Sequence, residues 1–272
     1  MRKSLLSLLI MVGLLSACER IEYFPDKPLL NTQTRFIGHR GGGNYSDGNM
    51  VEDCKRGLSL VDGIEIDIQK SADKTLWLSH SSATESCGSF GQRCFPNTTD
   101  KTIVEIDSCL GNTFSYTRLE WVFQYMSENY PDKFVSLDVK AWKPCELSNF
   151  NVRKQMNEMA QTIIDLTLKY QLQHVMVESE SGDFLYYIKE HTNRIETYLV
   201  TLGDFELGVS RALSNGYSGI SFQYKVKEDI TKDLVDLIHR KGLKIQVWLV
   251  NEPADIEEAE AIGVDFIQTD NF

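Results

Sequence analysis

Four short clusters of ionisable residues could carry chemistry in this chain. They are His39-Arg40, Glu65-Ile66-Asp67, Ser79-His80 and Asp138-Val139-Lys140. Imidazoles carry protons, guanidinium and ammonium groups bind anions, and carboxylates are the ligands that hard divalent cations prefer. Together these residue types indicate a site for a divalent metal ion and a phosphate group.

The elements that must position these clusters are strands. Short apolar runs typical of β-strands occur at residues 36–39, 63–68, 75–80, 134–139, 174–178, 195–200, 219–222, 244–250 and 265–269, and amphipathic, helix-period stretches separate most of them. Strands that alternate with helices predict parallel pairing in a barrel or a doubly wound sheet. The Gly41-Gly42-Gly43 run lacks the spacing of a dinucleotide-binding loop.

We therefore expect one α/β domain over residues 35–272, an irregular (β/α)8 TIM barrel. The irregularity is predicted at the second and third runs, because only a short turn around residues 72–74 separates them. Nine runs are also one more than a barrel needs.

All four clusters lie where a predicted strand ends, and in a barrel such ends meet at one mouth. Glu65 and Asp67 are two residues apart, so their side chains face the same way. Inside a barrel they would repel each other unless a cation lay between them. Taken singly, each cluster has another interpretation: a surface histidine, a half-exposed acid pair, or a simple Asp138–Lys140 salt bridge.

The first residues predict export. Arg2 and Lys3 precede an apolar run that is too short to span a bilayer, and Leu15-Ser16-Ala17-Cys18 resembles the bacterial lipoprotein cleavage box. We expect a signal peptide at residues 1–17, lipidation of Cys18 and a tether at residues 18–34; an ordinary secretory leader is the alternative. The expected location is the cell envelope, at the outer membrane or facing the periplasm, with membrane contact through the lipid alone.

The charge of the chain limits its partners. The formal net charge is −11, and loss of Arg2 and Lys3 with the leader makes the remainder more acidic. This surface argues against nucleic acid. A small anionic substrate would need a metal ion or a few well-placed cations.

Five further cysteines are available for disulfides in an exported protein: Cys54, Cys87, Cys94, Cys109 and Cys145. Cys87 and Cys94 flank a glycine-rich loop and are the expected pair, and the odd count leaves at least one free thiol. The irregular segment 81–117 either shapes substrate access or is a surface loop.

The ordered clusters resemble the glycerophosphodiester phosphodiesterase family of phospholipase-C-like TIM barrels. The motifs are His-Arg-Gly, Glu-x-Asp, a strand that ends in His, and acid-x-Lys. Residues 242–253, Gly263-Val264-Asp265 and Thr269-Asp270 are similar to that family's last strands. The resemblance covers nearly the whole chain from Phe36.

The resemblance implies metal-dependent hydrolysis of glycerophosphodiesters to glycerol 3-phosphate and an alcohol. It also implies roles for the matching residues. These roles are metal ligands for Ca2+ or Mg2+ (Glu65, Asp67, Asp138), an acid/base pair (His39, His80), phosphate contacts (Arg40, Lys140) and a glycerol contact (Trp248). A core position is the alternative for Trp248.

Three positions depart from the family pattern. The glutamate that the family usually has before the first helix is either lost or replaced by Asp47. Asp138 is one methylene shorter than the glutamate usual at its position. Ser81 stands where an aspartate usually follows the histidine. Two other functions therefore stay open. One is a related enzyme acting on a lysophospholipid or a phosphoinositide-type head group. The other is a non-catalytic surface lipoprotein that binds a phosphorylated ligand.

Overall fold

The computed structural model describes residues 24–27, 33–42, 48–111, 115–140, 152–225 and 230–272. The predicted leader, Cys18, Asp47 and Cys145 lie outside these residues. Within the expected tether, residues 24–27 lie against the barrel. Lys241 Nζ donates to Phe24 O and Asp26 Oδ1, both at 2.6 Å.

Eight parallel strands form a closed barrel, which confirms the predicted fold. The strands are β1 (Arg35–Gly38), β2 (Gly63–Lys70), β4 (Phe134–Asp138), β5 (Val175–Ser179), β6 (Ile195–Val200), β7 (Gly219–Gln223), β8 (Lys244–Trp248) and β9 (Phe266–Thr269), with β3 (Leu76–Leu78) outside the ring. The ring closes because β1 pairs with both β2 and β9.

The predicted irregularity is present at β3, which pairs antiparallel with β2. The turn between these strands includes Lys74 in a left-handed conformation, with φ of 70°. A five-residue connection (residues 71–75) cannot hold the helix that parallel strands need, so β3 folds back as a hairpin. His80 reaches the barrel mouth on this hairpin.

Helices connect the barrel strands. In the described residues they are α1 (Val51–Leu60), α2 (Asp100–Leu110), α3 (Leu119–Asn129), α4 (Val152–Tyr170), α5 (Gly182–His191), α6 (Phe205–Asn215), α7 (Lys232–Arg240) and α8 (Pro253–Ile262), with 3-10 turns at His39–Gly41 and Phe95–Asn97. Several begin at side-chain caps: Thr99, Ser181, Asp204 and Thr231 each accept a hydrogen bond from the first turn. Among the described residues we find no helix with the length and apolarity needed to cross a bilayer.

Aromatic and aliphatic side chains fill the barrel near the N-terminal ends of the strands. The buried members are Ile37, Met176, Tyr198 and Phe266, with Phe134 packed against them. The rings of Phe134 and Phe266 are 5.4 Å apart, in an edge-to-face contact. These side chains fill the end of the barrel opposite to the C-terminal strand ends, where the ionisable clusters lie.

The predicted Cys87–Cys94 disulfide is wrong. Cys87 is bonded to Cys109 on α2, with 5.9 Å between their Cα atoms, and Cys94 forms a disulfide with a cysteine other than Cys87. The prediction relied on proximity in sequence. In the structure, Cys87 forms an antiparallel backbone bridge with Phe90, whereas Cys94 forms one with Ala83. Among the described residues the free thiol is Cys54, which is buried.

The segment that carries this disulfide has its own small core. Its buried side chains are Trp77, Phe95, Ile103, Ile106 and Tyr116. The irregular segment is therefore a packed layer beside the barrel mouth.

Candidate active site

Eight side chains received a catalytic, metal-binding or substrate-binding role in the sequence analysis, and all eight line a single cavity of about 340 Å3 at the C-terminal ends of the strands. They are His39, Arg40, Glu65, Asp67, His80, Asp138, Lys140 and Trp248. Cys18, the predicted lipidation site, lies outside the described residues. The strand-end positions thus converge as the barrel geometry predicts.

Three carboxylates meet in this cavity. Glu65 and Asp67 project from β2 and are each only 2% exposed. Asp138 lies opposite Asp67 in the β2–β4 register. One carboxylate oxygen from each of the three lies within 4.8 Å of the others. All are hard oxygen donors of the kind that Ca2+ and Mg2+ prefer, so the donor set fits a divalent cation.

Lys140 lies among these carboxylates. Its Nζ donates to Asp67 Oδ1 at 2.5 Å and also to Asp138. The Asp138–Lys140 salt bridge considered from the sequence is therefore present, but it lies inside the cavity. It offsets part of the local negative charge.

The pKa values of the three acids diverge. Burial, followed by the charges of Asp67, Glu178 and Asp138, raises the pKa of Glu65 well above its ordinary range. Burial likewise raises the pKa of Asp138 to about 7, against the opposing effect of Lys140. Burial also acts to raise the pKa of Asp67, but the Lys140 charge and hydrogen bond lower it overall. The raised pKa values of Glu65 and Asp138 indicate that the positive charge near the three carboxylates does not balance their negative charge.

The turn after β1 holds Arg40 against the acids. Its backbone N–H donates to Glu65 Oε2 at 2.9 Å, and its Nε lies 3.4 Å from Asp67 Oδ2. Arg40 adopts a left-handed conformation, with φ of 50°, which is uncommon for a residue with a Cβ. The backbone strain is consistent with a conformation imposed by the site.

Asn49 is a site residue that sequence reasoning missed. Its Nδ2 donates to Asp67 Oδ2 at 2.9 Å, and its Oδ1 accepts from the Asp67 backbone N–H at 3.0 Å. The first contact orients the Asp67 carboxylate, and the second holds the backbone of the same residue. The available signal was its place before the first helix, where the sequence departs from the family pattern.

Asp270 is a second missed residue. Its Oδ1 lies 2.8 Å from His39 Nδ1, so the carboxylate accepts the Nδ1 proton. Asn251 holds the other oxygen, with Nδ2 donating to Asp270 Oδ2 at 2.8 Å. Asp270 follows the last strand directly; its signals in the sequence were this position and the resemblance of Thr269-Asp270 to the family's last strands, neither of which indicated a contact with His39.

His80 extends into the cavity from the end of β3. Partial burial lowers its pKa below the ordinary value; the charges of Lys140, Arg40 and His39 act in the same direction, and Asp67 opposes them. His80 is therefore neutral near pH 7 and can accept a proton.

The opposite side of the cavity is apolar. It consists of Val200, Leu202, Trp248 and Leu249, from the ends of β6 and β8 and the loops that follow. Leu202 is 62% exposed and Leu249 is 41% exposed. Trp248 is partly exposed and belongs to this lining rather than to the core. The cavity thus has a charged half and an apolar half.

Glu178 is a third missed residue and lies at the cavity floor. It is 3% exposed and accepts hydrogen bonds from Gln268 and Ser221 at 2.6 and 2.5 Å. Nothing in the sequence singled it out, because it lies one residue before the end of β5, within an otherwise ordinary buried strand.

Comparison with solved structures supports the fold. The chain is similar to a glycerophosphodiester phosphodiesterase from Parabacteroides distasonis (20% identity, TM-score 0.71), with 88% of this chain and 93% of that one covered. A Thermotoga maritima glycerophosphodiester phosphodiesterase matches at 19% identity and TM-score 0.65, over 89% and 96%. An Oleispira antarctica phosphodiesterase in complex with the product sn-glycerol-3-phosphate matches at 15% identity and TM-score 0.69, over 92% and 95%.

Sequence comparison with curated proteins found no match. The sequence model of the glycerophosphoryl diester phosphodiesterase family matches residues 39–272, from the first candidate histidine to the end of the sequence. That span contains the whole barrel mouth described above, and the chain belongs to the glycerophosphoryl diester phosphodiesterase family.

Proposed function

We propose that the chain hydrolyses glycerophosphodiesters to glycerol 3-phosphate and an alcohol, and that it requires a divalent cation. The observation that carries this proposal is the meeting of Glu65, Asp67 and Asp138 within 4.8 Å, in a cavity that also holds two histidines and two permanent cations. Family membership supports the reaction class. The product in the Oleispira antarctica complex is consistent with this choice of substrate.

Each residue of the charged half receives a role. His80, neutral near pH 7, accepts the proton of the attacking oxygen, which is water or a substrate hydroxyl. Attack by the hydroxyl gives a cyclic phosphate, which water then opens to glycerol 3-phosphate. A new P–O bond forms and the P–O bond to the alcohol breaks. His39, oriented by Asp270, donates a proton to the departing oxygen. Arg40 and Lys140 balance the charge on the phosphoryl oxygens.

Glu65, Asp67 and Asp138 would hold the metal ion, Ca2+ or Mg2+. The chemistry that such a cation supplies when bound is polarisation of a phosphoryl oxygen. The shorter Asp138 side chain is compatible with this role, because its oxygen still lies close to the other two acids.

An assay with glycerophosphocholine tests the proposal. The purified protein with Mg2+ or Ca2+ should release glycerol 3-phosphate, chelator should abolish release, and excess metal should restore it. Glu65→Gln should lose both metal binding and turnover. Metal binding without turnover of any phosphodiester would instead favour the non-catalytic binding lipoprotein.

A second candidate substrate class is the lysophospholipids. The apolar half favours it, since Leu202 and Leu249 are exposed at the mouth and would be desolvated by an acyl chain. Lysophosphatidylcholine and glycerophosphocholine share the scissile bond, so the ratio of their kcat/KM values separates the two classes. A ratio well above one would favour the acylated substrate.

We also propose that the protein is exported and anchored to the cell envelope through lipid on Cys18. The support is the leader and cleavage box of the sequence. Incorporation of labelled fatty acid into the full chain, and its loss in Cys18→Ser, tests this anchor. A Cys18→Ser variant that stays in the membrane fraction would contradict it.

A further inference from the structure

Glu178 is a buried carboxylate whose partners are all neutral. Gln268 Nε2 and Ser221 Oγ donate to it at 2.6 and 2.5 Å, and Ser136 Oγ lies 3.3 Å away. Among the described residues no Lys, Arg or His forms an ion pair with it. A buried charge of this kind is costly unless a cation compensates it.

The position of Glu178 places its charge next to the three proposed metal ligands. It lies opposite Asp138 in the β4–β5 register, as Asp138 lies opposite Asp67 in the β2–β4 register. Paired residues of parallel strands face the same side, and all three line the cavity. The charge of Glu178 also acts to raise the pKa of both Glu65 and Asp138, so it is felt across the site.

A charge balance shows what is missing. Four buried acids line the cavity: Glu65, Asp67, Asp138 and Glu178. The permanent cations in the described lining are Arg40 and Lys140. His39 is not counted, because it is paired with Asp270. Glu180 at the rim is not counted either, because it is exposed and water screens its charge. With all four acids ionised, the site lacks two positive charges, which is the charge of one divalent ion.

We propose that Glu178 sets the charge preference of the metal site, as a positioning residue that contributes the fourth buried negative charge without being one of the three clustered ligands. This inference rests on the proposed metal-dependent function. It also explains how a site with Asp138 in place of the longer glutamate retains a strong electrostatic demand for a divalent cation.

Calorimetric titration of the metal-free full chain with Ca2+ tests this role. Glu178→Gln keeps the side-chain shape and removes the charge, so Ca2+ should bind at least about tenfold more weakly. The matched control is Glu196→Gln, which removes a carboxylate of β6 that is paired with Lys244 at 2.7 Å, outside the cavity lining; its affinity should stay within about twofold of the unaltered protein. Equal affinity of Glu178→Gln and the unaltered protein would overturn the inference.

A trivalent ion separates a charge effect from a structural one. Tb3+ is close to Ca2+ in size, and Coulomb energy scales with ion charge, so the increase in log Kd caused by Glu178→Gln should be about 1.5 times larger for Tb3+. Glu178→Asp, which keeps the charge, should retain most of the affinity. Equal losses for both ions, or a loss in Glu178→Asp as large as in Glu178→Gln, would show a shape effect and overturn the inference.

The same titration distinguishes failure of the inference about Glu178 from failure of the proposed metal-dependent function. If the unaltered protein binds no divalent cation, the metal-dependent function fails and the inference fails with it. If the unaltered protein binds Ca2+ and Glu178→Gln binds it equally well, only the inference fails.

Discussion

His39 Nδ1 and Asp270 Oδ1 lie 2.8 Å apart although the residues are separated by 231 positions in the sequence. The contact joins the turn after the first strand to the residue that follows the last one. It forms because β1 and β9 are neighbours in the closed barrel. With Nδ1 engaged, His39 Nε2 faces the cavity, 3.9 Å from Glu65 Oε2.

Asp270→Asn should impair catalysis more than binding. The amide can no longer stabilise an imidazolium, and it can present an N–H that favours the wrong tautomer of His39. We expect kcat to fall by about 100-fold or more, with a small change in KM. Steady-state kinetics with glycerophosphocholine measures both.

Asp183→Asn is the matched control for this change, since Asp183 forms an exposed salt bridge with Arg153. It should leave kcat unchanged. An Asp270→Asn variant with kcat within about threefold of the unaltered protein would remove Asp270 from the proposed site.

The pKa of His80 should lie below 6.5, its ordinary value. Partial burial and the neighbouring cations disfavour the protonated form, and a bound divalent cation would add to this effect. As a general base His80 must be neutral, so at saturating metal, which keeps Glu65 and Asp138 ionised, kcat/KM should hold at pH 6.5 and fall at lower pH. Below pH 6.5 the folded protein binds fewer protons than the unfolded chain, so this group reduces stability as the pH drops.

NMR titration of the imidazole signals measures this pKa, with His80→Ala to assign the His80 resonance. A His80 that titrates above pH 6.5 would contradict the assignment of the general base.

Asp100 should stabilise the β2–β3 hairpin that carries His80. Its carboxylate accepts from Ser71 and Thr75 at 2.6 and 2.5 Å and from Trp77 Nε1 at 3.1 Å. Although partial burial acts to raise the pKa of Asp100, these hydrogen bonds lower it below its ordinary value of 3.8. Asp100→Asn should therefore reduce the free energy of unfolding by about 2 kcal/mol at pH 7.

The pH dependence of this difference follows from linkage. Because the folded-state pKa is the lower one, the charged carboxylate contributes its full stabilisation above pH 3.8 and loses it as the pH falls through the folded-state value. Urea unfolding at pH 7 and near pH 3 measures the difference between the two proteins. A gap that does not narrow at low pH would contradict this account.

Leu202→Ser tests the apolar half of the cavity. If an acyl chain covers Leu202, removing its side chain should lower the kcat/KM ratio of lysophosphatidylcholine to glycerophosphocholine by about tenfold or more. Leu60→Ser is the matched control, since Leu60 is 58% exposed on α1, outside the cavity lining. An unchanged ratio in Leu202→Ser would leave glycerophosphodiesters as the preferred class.

Local sequence determined the order of the elements and the strand-end clusters. All nine apolar runs became strands, because the runs and their alternation with helix-period stretches are local properties. Glu65 and Asp67 face the same side for the same local reason, since side chains along a strand alternate. The short connection before β3 likewise predicted the hairpin.

Contacts between distant parts of the chain were decided by the tertiary structure. Cys87 pairs with Cys109 rather than Cys94 because α2 returns to the loop. Asp270 reaches His39 only when the barrel closes, and Glu178 joins the site only through the register of β5 with β4. Spacing along the chain carries no information about such neighbours, since barrel closure and strand register set the distances between them.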